Sequence, residues 1–324
     1  MRKIISVITA LVLAAVLLTS CGNPSAVASD DTIRIVTTIF PEYDWVMNVL
    51  GDNPAEAEVT MLLDSGVDLH SFQPTAEDIL KVSTCDLFIY VGGESDEWVE
   101  DALNEAVNDD MVVINLLEIL GDKVVEEELI EGMEAESEEA EDEEEVEYDE
   151  HVWLSLRNAQ TLVDAIGDAI GQIDPDNSDL YETNAQSYID SFATLDAQYV
   201  QAVEEGTVDT ILVADRFPFR YLVEDYGLNY YAAFVGCSAE TEASFETITF
   251  LSDKVDELGL NTVLTIEGSD QRIAQTVVSN TSDSDQQILV LDSMQSTTGL
   301  DALNGASYLG IMESNLQILK EALG

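Results

Sequence analysis

Two histidines stand among the 324 residues, His70 in DSGVDLHSFQPT and His151 in EEVEYDEHVWLS, and each follows acidic residues. A neutral imidazole is the commonest side-chain ligand for a divalent transition metal. Taken singly, either residue reads as a surface or helix-capping histidine. Their placement argues for a shared role, because each lies in a loop where a strand-rich segment has just ended or a helix is about to begin. Ligands of open α/β sheets bind at such carboxyl ends. The chemistry expected of the pair is coordination of a divalent metal ion.

The elements that must position them follow from periodicity. From Thr32, TIRIVTTIFPEYDWVMNVLGD alternates as a strand through Ile39, turns at a proline, and continues with helical spacing of Trp45, Val46, Val49 and Leu50 as far as Gly51. AEVTMLL is a second strand leading into the His70 loop, after which Thr75 and Asp78 have the spacing of a capping box. DLFIYVGG and MVVIN add two more strands with helical stretches between them, the alternation of a parallel sheet. Between Glu126 and Glu150 sixteen of twenty-five residues are acidic and none is basic, so this insert is expected to be a mobile, solvated loop. From Leu156 the pattern is helical, broken at DPDNSD. The stretch 179–205 spaces Tyr188, Phe192, Leu195 and Tyr199 four, three and four apart and reads as a rigid spar. Beyond it, DTILVAD, LNYYAAFVG, NTVLTIEG and QQILVLDSM are four strands separated by helices. The expected fold class is α/β, with two lobes, each a four-stranded mainly parallel sheet flanked by helices, joined by one long rigid helix. The expected divisions are a signal peptide 1–20, a lipid-anchored tether 21–31, an N-terminal metal-binding lobe 32–175 carrying the acidic insert 126–150, a linking helix 176–205 and a C-terminal lobe 206–324. A soluble body of about 290 residues is enough for two lobes with separate cores.

Arg2 and Lys3 precede an apolar stretch from Ile4 to Leu18, the layout of an export signal and too short to span a bilayer comfortably. It ends in Leu18-Thr19-Ser20-Cys21, which resembles the lipobox of bacterial lipoproteins, where the cysteine carries the lipid. The alternative is cleavage at another small residue, leaving Cys21 an incidental thiol. The chain is therefore expected outside the cytoplasm, anchored through Cys21 on the outer face of the cytoplasmic membrane. With 66 acidic and 11 basic residues the formal charge is −55. That balance excludes nucleic acid and anionic lipid surfaces and leaves cations as the natural small partners, although a salty or acidic habitat would favour it too. Cys85 and Cys237 are too few for a disulfide framework; Cys85 opens an apolar run and reads as a small core hydrophobe.

Together, TIFPEYDWV, DLHSFQPTAEDI, CDLFIYVGGESDEWV, EHVWLSLRNAQ and YGLNYYAAF resemble the metal-binding lipoproteins of ABC importers for zinc or manganese, the cluster 9 or A-I solute-binding proteins, over nearly the whole mature chain. The resemblance implies Zn2+ or Mn2+ carried as cargo in a cleft between the lobes and delivered to the membrane permease of an ABC transporter. A monomer is expected. His70 and His151 match the first two ligands. The third, a histidine in zinc-type members and often a glutamate in manganese-type ones, falls in LVADRFPFRYLVEDYGL on Arg216, which has no lone pair to offer, so Asp215 beside it is the expected ligand. The fourth, an acid after the third strand of the second lobe, falls in LTIEGSDQR, where Glu267 and Asp270 compete. Cys237, with Glu240 and Glu242 in GCSAETEAS, ends another strand and is a reserve ligand whose thiolate would favour zinc. The insert departs from the zinc-type pattern in having no histidine. Two imidazoles and two carboxylates would leave little room for a reactive water, so no enzymatic activity is expected. Two other classes stay open. One is a metal-dependent hydrolase, although no HExxH helix is present; the other is a surface adhesin or cation buffer in which the acidic tract is the active part.

Overall fold

The computed structural model describes residues 32–134, 147–238 and 242–324. The signal 1–20, the tether 21–31 with its anchor Cys21, the middle of the acidic insert and Glu240 lie outside the described residues.

Four short apolar strands make the first sheet: β1 (Arg34–Thr37), β2 (Glu58–Met61), β3 (Leu87–Tyr90) and β4 (Val112–Asn115), in the order β2-β1-β3-β4 with every pairing parallel. Parallel strands need crossovers. Helices α1 (Phe40–Leu50), α2 (Ala76–Thr84) and α3 (Trp98–Asn104) supply them, and α4 (Leu116–Leu120) follows β4. At the start of α1 the Glu42 carboxylate accepts the N–H groups of Thr38 (2.8 Å) and Ile39 (3.2 Å), donors that no helical carbonyl can reach. Thr75 and Asp78 make the reciprocal capping box that their spacing predicts at α2.

Helices α5 (Leu156–Ile173) and α6 (Ser178–Glu205) lead to the second sheet, β5 (Thr210–Phe217), β6 (Asn229–Val235), β7 (Thr262–Ile266) and β8 (Gln287–Leu291). Its order is β6-β5-β7-β8, again parallel throughout. Helices α7 (Arg220–Tyr226), α8 (Phe245–Leu258), α9 (Arg272–Asn280), α10 (Gly299–Leu303) and α11 (Tyr308–Leu323) flank it. In both sheets the strand order reverses at the first strand, which opens a crevice beyond the carboxyl ends where the loops can hold a ligand.

At 1.5 Å per residue α6 is about 42 Å long. It buries Tyr181, Tyr188, Phe192, Leu195 and Tyr199. The Tyr188 hydroxyl donates to Asp44 of α1 and the Tyr199 hydroxyl to the Met312 carbonyl of α11, both at 2.6 Å, so the spar is fastened to each lobe. Separate cores were expected; one continuous core instead runs from β1 through α5, α6 and α11 to β5. The reason lies in strand alternation. Ile211 and Val213 of β5 face the shared core, whereas Leu212 and Ala214 face a smaller cluster with Phe234, Leu251 and Val255 on the opposite side of the sheet. Ile33–Gly324 is accordingly one compact unit. Among the described residues no helix is long and apolar enough to cross a membrane.

The ends of the acidic insert differ from a solvated loop. The Glu127 N–H donates to the Glu147 carbonyl, that of Asp149 to Val125 and that of Glu134 to Ala233, each at 3.0 Å. Asp149 and Glu150 are buried despite their charge, and the Asp149 N–H is paired with Val125.

Candidate metal centre

Beyond β2, the Asp68 carboxylate accepts the His70 N–H (3.1 Å) and starts a single 3-10 turn, Leu69–Ser71, whose Leu69 is buried as an anchor. The His70 ring is fixed on its far side: Nδ1 lies 2.8 Å from Ser95 Oγ and 3.5 Å from Glu150 Oε2. The Ser95 N–H in turn donates to Glu150 Oε1 (2.9 Å). Gly93, with φ at 81°, permits this approach, because a Cβ there would collide with the Glu150 carboxylate.

His151 is fully buried just before α5. Asp149 Oδ1 accepts its backbone N–H (2.8 Å) and stands 3.0 Å from its Nδ1. That contact assigns the proton of the neutral ring to Nδ1, so that Nε2 can face a metal. The next residues tie this segment to the second lobe, with Trp153 Nε1 donating to Ser293 O (2.8 Å) and the Tyr308 hydroxyl to Trp153 O (2.6 Å). On the opposite side the bare backbone of Gly236 meets the imidazole; a Cβ at that position would lie 2.9 Å from His151 Cε1 and 3.0 Å from Phe217 O.

The two Nε2 atoms are 3.2 Å apart. An ion with tetrahedral bonds of about 2.0–2.1 Å to nitrogen needs its donors roughly 3.3 Å apart. Cys237, just past β6, completes a group in which one donor atom each from His70, His151 and Cys237 lies within 4.8 Å of the others. A cavity of about 360 Å³ opens over His70 and Cys237, and Glu94, Glu97, Glu127 and Glu147 line it. Glu127 Oε1 also accepts the Cys237 N–H (3.0 Å).

Two imidazoles this close cannot both be charged imidazolium ions. Burial, and then the neighbouring His151, push His70 down to about 3. Burial also acts downward on His151, but the carboxylates of Asp149, Glu150 and Glu127 outweigh it and hold that imidazole above its ordinary value. Burial, followed by Glu127 and Glu150, drives the Cys237 thiol far up. A cation bound there would replace its proton and make it a thiolate.

The second-lobe acids singled out in the sequence are not among these grouped donors. Asp215 accepts the Arg216 N–H (3.0 Å) and the Ser269 hydroxyl (2.5 Å). Glu267 is filled by Ser293, through N–H and hydroxyl (both 2.7 Å), and by the Gln295 N–H (3.0 Å). Asp270 is exposed and paired with Arg272. Arg216 reaches Asp68 (2.7 Å). Nothing in the sequence marks Ser95, Glu127, Asp149 or Glu150 individually as site groups. The last two were visible in YDEH as charge, but only the fold shows that they hold the imidazoles.

The family model described as ZnuA, zinc-uptake complex component A, periplasmic, matches residues 35–322. The chain is 29% identical to the zinc-binding lipoprotein AdcA of Streptococcus pneumoniae strain R6, over 99% of this chain and 61% of that protein. It therefore spans about three fifths of the length of that relative. It is 30% identical to the high-affinity zinc uptake system protein ZnuA of Bacillus subtilis strain 168, over 95% of this chain and 94% of that one. The crystal structure of the Zn(II)-bound ZnuA-like domain of Streptococcus pneumoniae AdcA superimposes with a TM-score of 0.70 at 27% identity, over 90% of this chain and 99% of that domain. With two parallel sheets, the long helix and the paired imidazoles already in place, the match over nearly the whole described body shows that this chain belongs to the zinc-uptake complex component A family.

Proposed function

We propose that this chain is the extracytoplasmic solute-binding component of an ABC importer, anchored through a lipid on Cys21, that captures Zn2+ as a monomer and delivers it to a membrane permease. The observation that carries the reading is the 3.2 Å approach of the two imidazole nitrogens with Cys237 beside them. Two nitrogens and a sulfur suit zinc, a borderline-soft ion, and disfavour manganese, which prefers oxygen donors. The fourth position falls to an acid of the cavity wall or to water. In this reading the lobes 32–175 and 206–324 close on the ion as units, with 176–205 as the spar. The shared core and the tyrosine bonds at both ends of α6 keep that movement small. The zinc-binding names of the AdcA and ZnuA relatives, and the Zn(II) in the structural neighbour, support the cargo.

Metal analysis of the purified chain, with competition titrations against a zinc chelator, tests the reading. Wild type should carry about one zinc per chain in a closed three-to-four-ligand site. His70→Ala and His151→Ala should each empty the site, and Cys237→Ser should bind zinc more weakly while gaining relative preference for manganese. Full stoichiometry and affinity in either histidine variant would overturn the assignment.

A further inference from the structure

Arg216 stands where the resemblance calls for a metal ligand, and the structure gives it a different use. Strand β5 pairs with β6 through Val213↔Ala232 and then Arg216↔Phe234, so β5 carries one more residue than its neighbour in this interval. Such a bulge bends the strand and re-aims the side chains beyond it. Here it sends the Arg216 guanidinium two ways. Nη2 donates to Asp68 Oδ2 (2.7 Å), and Nη1 donates to the Ser238 carbonyl (3.4 Å). Asp68 is the residue whose other oxygen holds the His70 N–H, and Ser238 directly follows Cys237. One side chain thus spans the crevice from the turn that carries the first-lobe imidazole to the turn that carries the second-lobe sulfur.

We propose that Arg216 is a positioning residue: its planar fork pins the His70 turn to the Cys237 turn across the cleft, so that the sulfur reaches the ion held by the two imidazoles. The inference rests on the proposed metal-binding reading. Guanidinium suits the task because its donors are fixed in one plane and engage two acceptors at once, which a lysine ammonium on a flexible stem does not reproduce. Its positive charge beside a cation site is offset by Asp68 in direct contact. The pair is only partly exposed, with the two side chains at 19% and 24%, so solvent does not dissolve it as it would a surface pair. Asp68 serves both ends, ordering His70 with one oxygen and receiving the guanidinium with the other.

Cobalt(II) loaded into the full chain reports on this arrangement, because thiolate coordination gives a sulfur-to-cobalt charge-transfer band that imidazole and carboxylate ligands do not. Wild type should show the band. Arg216→Ala should still bind cobalt through the two histidines, with roughly 10- to 100-fold weaker affinity, the range for loss of an outer-shell support. It should also lose most of the charge-transfer intensity. Arg216→Lys should recover part of the affinity and little of the band. Asp68→Asn keeps the oxygen that accepts the His70 N–H and removes the charge partner. It should resemble Arg216→Ala, and the double variant should be no worse than either alone. An unchanged band and affinity in Arg216→Ala, or effects of the two substitutions that simply add, would overturn the inference. If Arg216→Ala fails to fold, Arg216→Lys and Asp68→Asn decide the same question by the same band. Absence of the band in wild type, despite tight binding, would remove Cys237 from the site and overturn the proposed ligand set together with this inference.

Discussion

Replacing Asp149 separates what orients the second imidazole from what holds the ion. Its Oδ1 accepts the His151 N–H at 2.8 Å and faces Nδ1 at 3.0 Å, and the residue is buried, so both contacts are made away from water. Asp149→Asn can keep a carbonyl oxygen in the same place. It removes the negative charge that opposes burial in setting the basicity of His151. Asp149→Ala removes the acceptor as well and frees the ring to turn. Loss of an outer-shell partner lowers metal affinity by about 10- to 100-fold, which corresponds to about 1.4–2.8 kcal/mol. The asparagine variant should sit near the lower end and the alanine variant near the upper. Zinc competition titrations at pH 7.5 measure both, with circular dichroism confirming that each variant is folded. Affinities within twofold of wild type for both variants would refute the reasoning.

Three further outcomes follow from the same geometry. His151 is held above its ordinary value while His70 is pushed down to about 3, so zinc displaces the Cys237 thiol proton at any pH in this range, a second proton from His151 only below that raised value, and none from His70. Affinity should therefore rise with pH by about two protons' worth below the raised His151 value and by about one above it; calorimetry in buffers of different ionisation enthalpy checks this, and pH-independent affinity between pH 5 and 8 would contradict it. Gly236→Ala places a methyl 2.9 Å from His151 Cε1 and 3.0 Å from a backbone oxygen. It should destabilise the metal-free chain by about 1–3 kcal/mol, an overpacking effect; thermal melting should show a lowered Tm, together with weaker zinc binding, and an unchanged melt would mean the ring yields freely. Neutralising the acidic side chains of 135–146 to glutamine should leave equilibrium affinity within about threefold while slowing zinc association at low salt, because long-range electrostatic steering acts on rates more than on equilibrium affinity. Loss of tight binding in that variant would favour the cation-buffer alternative.

Much of the fold could be read from the sequence because the informative residues act locally. The short β-branched runs, the Thr75–Asp78 cap and the four-three-four spacing of Tyr188, Phe192, Leu195 and Tyr199 each specify an element without help from distant partners. The continuous core was less legible, since it depends on which faces of α5, α6 and α11 meet. At the site, rarity and loop placement singled out His70 and His151. The second-lobe half depends on a bulge in β5 that no periodicity announces, and it turns Arg216 toward Asp68 148 positions away in sequence. Likewise Glu127 reads as one acid in a solvated run until the Cys237 backbone, 110 positions on, is seen to donate to it. Asp149 and Glu150 read as surface charge because burying carboxylates is costly unless partners are waiting for them; the His151 ring and the Ser95 N–H are those partners.

X-ray absorption at the zinc edge, on the zinc-loaded chain, measures the first coordination shell directly. The account predicts two imidazole nitrogens at about 2.0–2.1 Å and one sulfur at about 2.3 Å, with the sulfur shell absent in Cys237→Ser. A shell of nitrogen and oxygen alone in the wild-type chain, or a sulfur signal that survives Cys237→Ser, would contradict it.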